Sequence, residues 1–232
     1  MSRYLFQPHA LPAAPVRGSD LQFPIHRIFC VGRNYAAHAK EMGAEVDREA
    51  PFYFTKAACA YAPSGAKVPY AAGTTNLHYE IELVVAIGKT GFQIAESDAL
   101  QHVFGYACGL DMTRRDLQQT MKDKRLSWDI GKDFEDSAIL SEIVAATECG
   151  HISAGGIGLK LNDVVKQSSD VSDQIHPVPS VISHLSRYYH LQPGDLIFTG
   201  TPEGVGPVQP GDHINGWVDQ VGTISLTIGP AS

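Results

Sequence analysis

Between Leu77 and Ile87 the chain reads Leu-His-Tyr-Glu-Ile-Glu-Leu-Val-Val-Ala-Ile, and no other segment constrains the fold as strongly. In its first half Ile81, Leu83, Val85 and Ile87 are set against His78, Glu80 and Glu82, and its second half is continuously apolar. A period of two marks a strand with one polar face, whereas an unbroken apolar run marks a strand covered on both faces. One strand from Leu77 to Ile87 is therefore expected, two-faced at its start and buried thereafter. A second apolar strand is expected from Val103 to Leu110, ending abruptly at Asp111.

The remaining text is that of a β-rich domain. Ile28 to Val31 reads as a short buried strand and Pro51 to Lys56 as an aromatic-rich one. Turn signals recur at Gly155-Gly156, Asn162-Asp163, Pro193-Gly194-Asp195 and Pro210-Gly211-Asp212. Helices are expected from Asn34, as cap, to a stop at Gly43, from Glu96 to His102, within Thr113 to Lys124, and from Val181 to Tyr189. Regular helix–strand alternation is absent, so the fold class is mainly β with short helices, an α+β arrangement rather than a doubly wound sheet. Residues 1–24 hold four of the fourteen prolines and read as an N-terminal extension, leaving residues 25–232 as one domain.

A formal net charge of −7, with no basic run longer than Lys122 to Arg125, provides no field for a phosphate backbone and disfavours nucleic acid as a partner. The longest apolar runs are too short to span a bilayer, and the first ten residues lack a basic stretch followed by an apolar one. The expectation is a cytoplasmic protein with no membrane partner. Cys30, Cys59, Cys108 and Cys149 form no Cys-x-x-Cys pair, which argues against a zinc ribbon or a redox dithiol and for reduced thiols.

Chemistry concentrates in the carboxylates that interrupt apolar text. Glu80 and Glu82, two apart on a strand, project from one face only a few ångströms from each other. An isolated Glu-x-Glu is usually a solvated polar face. Here the pair opens directly into a buried run, and a third carboxylate, Asp111, ends another. Three such groups without a matching Cys or His set form an oxygen-rich site suited to Mg2+, with Mn2+ or Ca2+ possible, rather than zinc. His38 and Glu41 stand at i and i+3 on the first helix, where a carboxylate can orient an imidazole as a general base. His78 shares the glutamate face and reads as a polar neighbour rather than a ligand. Gly155-Gly156-Ile157-Gly158 lacks the context of a phosphate loop and reads as a turn.

The segments Val31-Gly32-Arg33-Asn34-Tyr35-Ala36-Ala37-His38, Leu77 to Leu83, Gly109-Leu110-Asp111-Met112-Thr113 with Arg115-Asp116-Leu117-Gln118, and Ile197 to Gly206 together resemble, in order and spacing, the fumarylacetoacetate hydrolase family. The resemblance runs from about residue 25 to about residue 229. It implies a mixed β-roll or sandwich, metal ligands at Glu80, Glu82 and Asp111, a His38–Glu41 dyad on a lid segment, and a catalytic, substrate-contacting Lys132. Arg33, Arg115, Gln118 and Thr201 are the expected substrate-binding residues. It also implies a homodimer and a hydrolase acting on a carbon–carbon bond of a ketonic substrate, an acylpyruvate. The first 24 residues, with Tyr4-Leu5-Phe6, are similar to bacterial fumarylpyruvate hydrolases of gentisate-type aromatic degradation, which release fumarate and pyruvate. Two departures fall where related proteins border the pocket: Lys56 is followed by Ala57 rather than proline, and Ser137 to Ile143 lacks the proline- and glycine-rich text often found there. The alternatives are an oxaloacetate decarboxylase, or an oxo-diacid isomerase or decarboxylase, on the same scaffold, and a non-catalytic metal- or metabolite-binding protein.

Overall fold

The computed structural model describes residues 3–43 and 48–231. Its largest element is an eight-stranded sheet in which seven strands run in the spatial order Phe52–Lys56, Arg27–Gly32, Asp195–Phe198, Ile81–Ile87, Val103–Asp111, Ala138–Leu140 and Tyr61–Pro63, with Val144–Ala145 also paired to Val103–Asp111. Two pairings are parallel, Asp195–Phe198 with Arg27–Gly32 and Ala138–Leu140 with Tyr61–Pro63, and the others are antiparallel. A five-stranded sheet from the second half of the chain, with Lys67–Tyr70 at one edge, packs against it. The protein is mostly β, as its turn-rich text implies.

Every residue of Ile81–Ile87 is buried, and the period of two divides them between two cores. Leu83, Val85 and Ile87 join Leu159, Ile214, Ile224 and Leu226 of the five-stranded sheet. Val84 and Ala86 point the other way, into a smaller cluster with Ile28, Cys30, Leu196 and Phe198. Ala14 and Phe23, from the paired strands Ala13–Pro15 and Gln22–Pro24 near the N-terminus, close that cluster. Each large aliphatic side chain buried in this way contributes ~1.5–3 kcal/mol. Glu80, Glu82, Val84 and Ala86 share one parity, so the carboxylates lie where the smaller apolar face ends.

Local departures from expectation have physical causes. The expected strand from Leu77 to Ile87 is broken at Glu80. Leu77–Tyr79 leaves the large sheet to pair with Thr113–Arg114 and Gly206–Pro207, and pairing with Val103–Asp111 starts only at Ile81. Asn34 is not a helix cap: its amide donates to the carbonyls of His176 and Thr199 and its side-chain oxygen accepts from His176, while Tyr35 takes the cap position of Ala36–Glu41. Glu96–His102 is a tighter 3-10 helix, Thr113 to Lys124 divides into a two-residue strand and the helix Arg115–Asp123, and the late helix is Val178–Leu185. No helix among the described residues is long and apolar enough to cross a membrane.

Candidate active site

Glu80, Glu82 and Asp111 can each offer one carboxylate oxygen such that all three lie within 4.8 Å of one another. The register explains the convergence. Ile81 pairs with Leu110 and Glu82 with Gly109, and the Asp111 amide donates to the Glu80 carbonyl, so the ends of two neighbouring strands bring the three side chains together. All three residues are at most 4% exposed.

Three buried negative charges need compensation, because an unpaired charge in a protein interior is costly. Arg115 donates to Glu80 through one guanidinium nitrogen and to Gln118 through another, the latter at 2.6 Å. The Lys132 ammonium donates to Glu80 at 2.7 Å, Asp111 at 2.6 Å and Thr113 at 2.7 Å, which uses all three of its hydrogens. Lys56, itself buried, stands 2.9 Å from Asp111 Oδ1 and donates to Ser137 and to the carbonyls of Met112 and Lys132. Burial alone would raise the Glu80 pKa, but Lys132 and Arg115 outweigh it and hold Glu80 below the usual carboxylate range. Glu82 is pushed the other way, by burial and by the Asp111 and Glu80 charges beside it. Burial disfavours the charged form of Lys132, yet Asp111 and Glu80 keep its pKa above the ordinary lysine value.

The donor set fits a hard divalent cation. Among the described residues Glu82 receives a single hydrogen bond, from the Gly200 amide at 2.7 Å. Asp111 Oδ1 stands 2.9 Å from the Lys56 ammonium as an ion pair but has no hydrogen-bond donor among the described residues. Carboxylate oxygens with acceptor capacity to spare, in a cluster with no sulfur or imidazole group, are the chemistry preferred by Mg2+ or Mn2+. His78 stands apart from the cluster: its Nε2 faces Asn76 at 2.9 Å, and burial together with Arg115 lowers its pKa to about 4.

The loop from Thr199 to Gly204 connects these carboxylates to the His38–Glu41 pair. Gly200, at φ 98°, directs its amide at Glu82, and an added Cβ would meet Asn34 at 2.6 Å. Gly204, at φ 92°, donates its amide to Glu41 at 3.0 Å. The other oxygen of Glu41 lies 3.0 Å from His38 Nδ1, and His38 Nε2 has no partner among the described residues. Burial raises the Glu41 pKa, but the hydrogen bonds from His38 and Gly204 outweigh it and leave the group below its ordinary value. An imidazole held through Nδ1 by an ionised carboxylate, with Nε2 free, is arranged to accept a proton.

One cavity gathers the sequence-derived candidates. Glu80, Glu82, Asp111, His38, Arg33, Arg115, Gln118, Lys132 and Thr201 all line it, and Glu41 stands behind His38. Sequence reasoning missed Lys56, Thr113 and Gln167 as supports. Gln167 is fully buried, accepts from the Ile81 amide at 3.1 Å and donates to Thr201 at 2.9 Å. Lys56 carried a readable signal, a lysine closing an aromatic strand just as Asp111 closes an apolar one. Gln167, within the polar run Lys166 to Ser169, carried none.

Comparison with known proteins finds relatives over most of the chain. The family described as fumarylacetoacetate (FAA) hydrolase C-terminal matches residues 27–229. A fumarylpyruvate hydrolase from Ralstonia sp is 53% identical over 192 residues, which are 82% of this chain and all of that protein. The mitochondrial oxaloacetate tautomerase FAHD1 of Mus musculus is 44% identical over 194 residues, 84% of this chain and 87% of that one. The crystal structure of fumarylpyruvate hydrolase from Pseudomonas aeruginosa in complex with Mn2+ and pyruvate superposes with a TM-score of 0.96 at 46% identity, covering 98% of this chain and 100% of that one.

Proposed function

The chain belongs to the fumarylacetoacetate hydrolase family, and we propose that it is a divalent-metal acylpyruvate hydrolase that converts fumarylpyruvate and water to fumarate and pyruvate. The observation that carries this reading is the convergence of a three-carboxylate cluster and an oriented histidine on one cavity. The relatives named fumarylpyruvate hydrolase, one of them holding Mn2+ and pyruvate, support it.

In this reading Glu80, Glu82 and Asp111 hold the ion, Mg2+ by preference. When bound it supplies a Lewis acid that orients and polarises the 2-oxo acid end of the substrate. His38 Nε2 takes a proton from water, and Glu41 fixes the ring and compensates the imidazolium charge that develops. The water oxygen bonds to the acyl carbonyl carbon. The carbon–carbon bond to the pyruvyl methylene then breaks, and its electron pair remains on that methylene carbon. The proton held by His38 completes the methyl group of pyruvate. Lys132, kept charged by its carboxylate neighbours, contributes the cation that offsets negative charge developing on the pyruvyl half. Arg115 fixes Gln118 and Glu80, and Gln167 fixes Thr201 at the cavity wall. With this reading go a homodimer and a place in gentisate-type aromatic degradation, as the resemblance implies, and the cytoplasmic location expected from the sequence.

A second reading is favoured by the relatives named oxaloacetate tautomerase, at 36–44% identity over most of the chain. There His38 would move a proton between carbon and oxygen of a 2-oxo diacid with no bond to water. Chromatography of products distinguishes the two. Equimolar fumarate and pyruvate from fumarylpyruvate supports hydrolysis, whereas faster enol–keto interconversion of oxaloacetate with no pyruvate from fumarylpyruvate refutes it.

A further inference from the structure

We propose that Arg33 and Lys122 form an anion subsite for a carboxylate at the far end of the acyl group, so that the enzyme selects acylpyruvates whose acyl part is itself an acid. This deepens the hydrolase reading and rests on it for the identity of the reacting bond.

The charge distribution motivates the assignment. At the centre, Glu80, Glu82 and Asp111 stand beside Lys56, Arg115 and Lys132, three negative groups against three positive ones. The cavity that holds them also reaches Arg33, Lys122, Phe54 and Trp128. The same four residues line an adjoining groove that adds Phe52, Tyr189, Arg125 and a single acidic residue, Asp129. Among the described residues no carboxylate lies within ion-pair distance of Arg33, Lys122 or Arg125. A chain with a net charge of −7 thus places, among its described residues, positive charge without an ion-pair partner at one part of its reaction cavity.

Backbone geometry indicates that Arg33 is placed deliberately. It has φ 61°, a left-handed conformation uncommon for a residue with a side chain. It follows Gly32, the last residue of its strand, where an added Cβ would meet the Phe52 ring at 2.6 Å, so the backbone there runs close against an aromatic side chain. The guanidinium lies over the Trp128 ring, 5.5 Å from its centre, a cation–π contact that leaves hydrogen donors for a carboxylate. Lys122 approaches from the helix Arg115–Asp123 and spends one donor on the Met42 carbonyl at 3.0 Å, leaving two. Between this rim and the carboxylate cluster the walls include Phe54 and Trp128, whose ring centres are 6.1 Å apart. Flat apolar walls with cations at one end suit a conjugated chain ending in a carboxylate. An acetyl group would leave both cations without a partner.

The test compares fumarylpyruvate with acetylpyruvate, which share the 2,4-dioxo acid and differ in the distal carboxylate, using Mn2+-loaded wild type, Arg33→Gln, Arg33→Lys and Lys122→Gln. The expected result is that the ratio of kcat/KM for fumarylpyruvate over acetylpyruvate falls about tenfold or more in Arg33→Gln, chiefly through KM, with partial recovery in Arg33→Lys and a smaller fall in Lys122→Gln. An unchanged ratio, or equal losses on both substrates, overturns the subsite. Calorimetric binding of fumarate to the same Mn2+-loaded proteins separates this proposal from the hydrolase reading. Fumarate affinity lost in Arg33→Gln supports the subsite even if neither dioxo acid is cleaved, and affinity unchanged by either substitution overturns it.

Discussion

Lys132 occupies the electrostatic centre of the site, and its replacement by methionine, which keeps most of the side-chain volume, isolates the role of its charge. The ammonium is 2.7 Å from Glu80 and 2.6 Å from Asp111, and the residue is 2% exposed. At an effective dielectric constant of about 20, each pair attracts by roughly 6 kcal/mol, most of which offsets the desolvation of the ions. Removing one partner of a buried ion pair costs ~3–5 kcal/mol, because the remaining charge is stranded. The expected loss for Lys132→Met in chelator is therefore about 3–5 kcal/mol. In urea that corresponds to a midpoint lowered by roughly 1–2 M for a chain of this size. Adding Mn2+ recovers part of the loss, since a cation at the same carboxylates supplies the missing charge, yet turnover of fumarylpyruvate stays about a hundredfold or more below wild type. Denaturation in paired buffers with chelator and with Mn2+ measures both. A loss under about 1 kcal/mol in chelator, the value of a solvent-exposed pair, would refute the assignment of Lys132 as the cation that holds the cluster together.

Three further outcomes are expected. Asp111→Asn, which preserves shape, abolishes stoichiometric Mn2+ binding in calorimetry, and an unchanged affinity would remove Asp111 from the ligand set. His38→Ala is expected to lower kcat by about 10²–10⁴ while Mn2+ affinity stays within error, because the proposed mechanism gives the imidazole the proton transfer and it stands outside the carboxylate cluster. Glu41 has a depressed pKa in the folded protein, so its stabilising contribution is fully present above the ordinary glutamate value of about 4.3 and is lost as pH falls through the depressed one. The difference in melting temperature between wild type and Glu41→Gln is accordingly expected to be constant from neutral pH down to about 5 and to shrink on further acidification. A difference that grows in acid would contradict the geometry of the dyad.

The carboxylate cluster was legible in the sequence because charge is rarely written into an apolar strand without a purpose, and Glu82 and Asp111 both interrupt such strands. Alternation placed Glu80 and Glu82 on one face, and that parity holds even though the strand breaks between them. The break itself was not legible: the period of two runs unchanged through Tyr79-Glu80-Ile81, while the switch of sheets depends on Thr113–Arg114 and Gly206–Pro207, distant partners that a local pattern does not encode. Asn34 illustrates the same limit. Its text is that of a helix cap, but its hydrogen bonds go to residues 142 and 165 positions away. Lys56 could have been read by the logic that found Asp111. Gln167 could not, since its role arises only when the five-stranded sheet brings it to Ile81 and Thr201.

The most direct measurement is the loss of fumarylpyruvate absorbance as Mn2+ is titrated into chelator-treated protein, with bound metal counted in parallel. Turnover that is absent without metal and rises in proportion to occupancy up to one ion per chain is the expected result, with one pyruvate released per substrate. Undiminished cleavage by metal-free protein would contradict the assignment of Glu80, Glu82 and Asp111 as the catalytic metal centre.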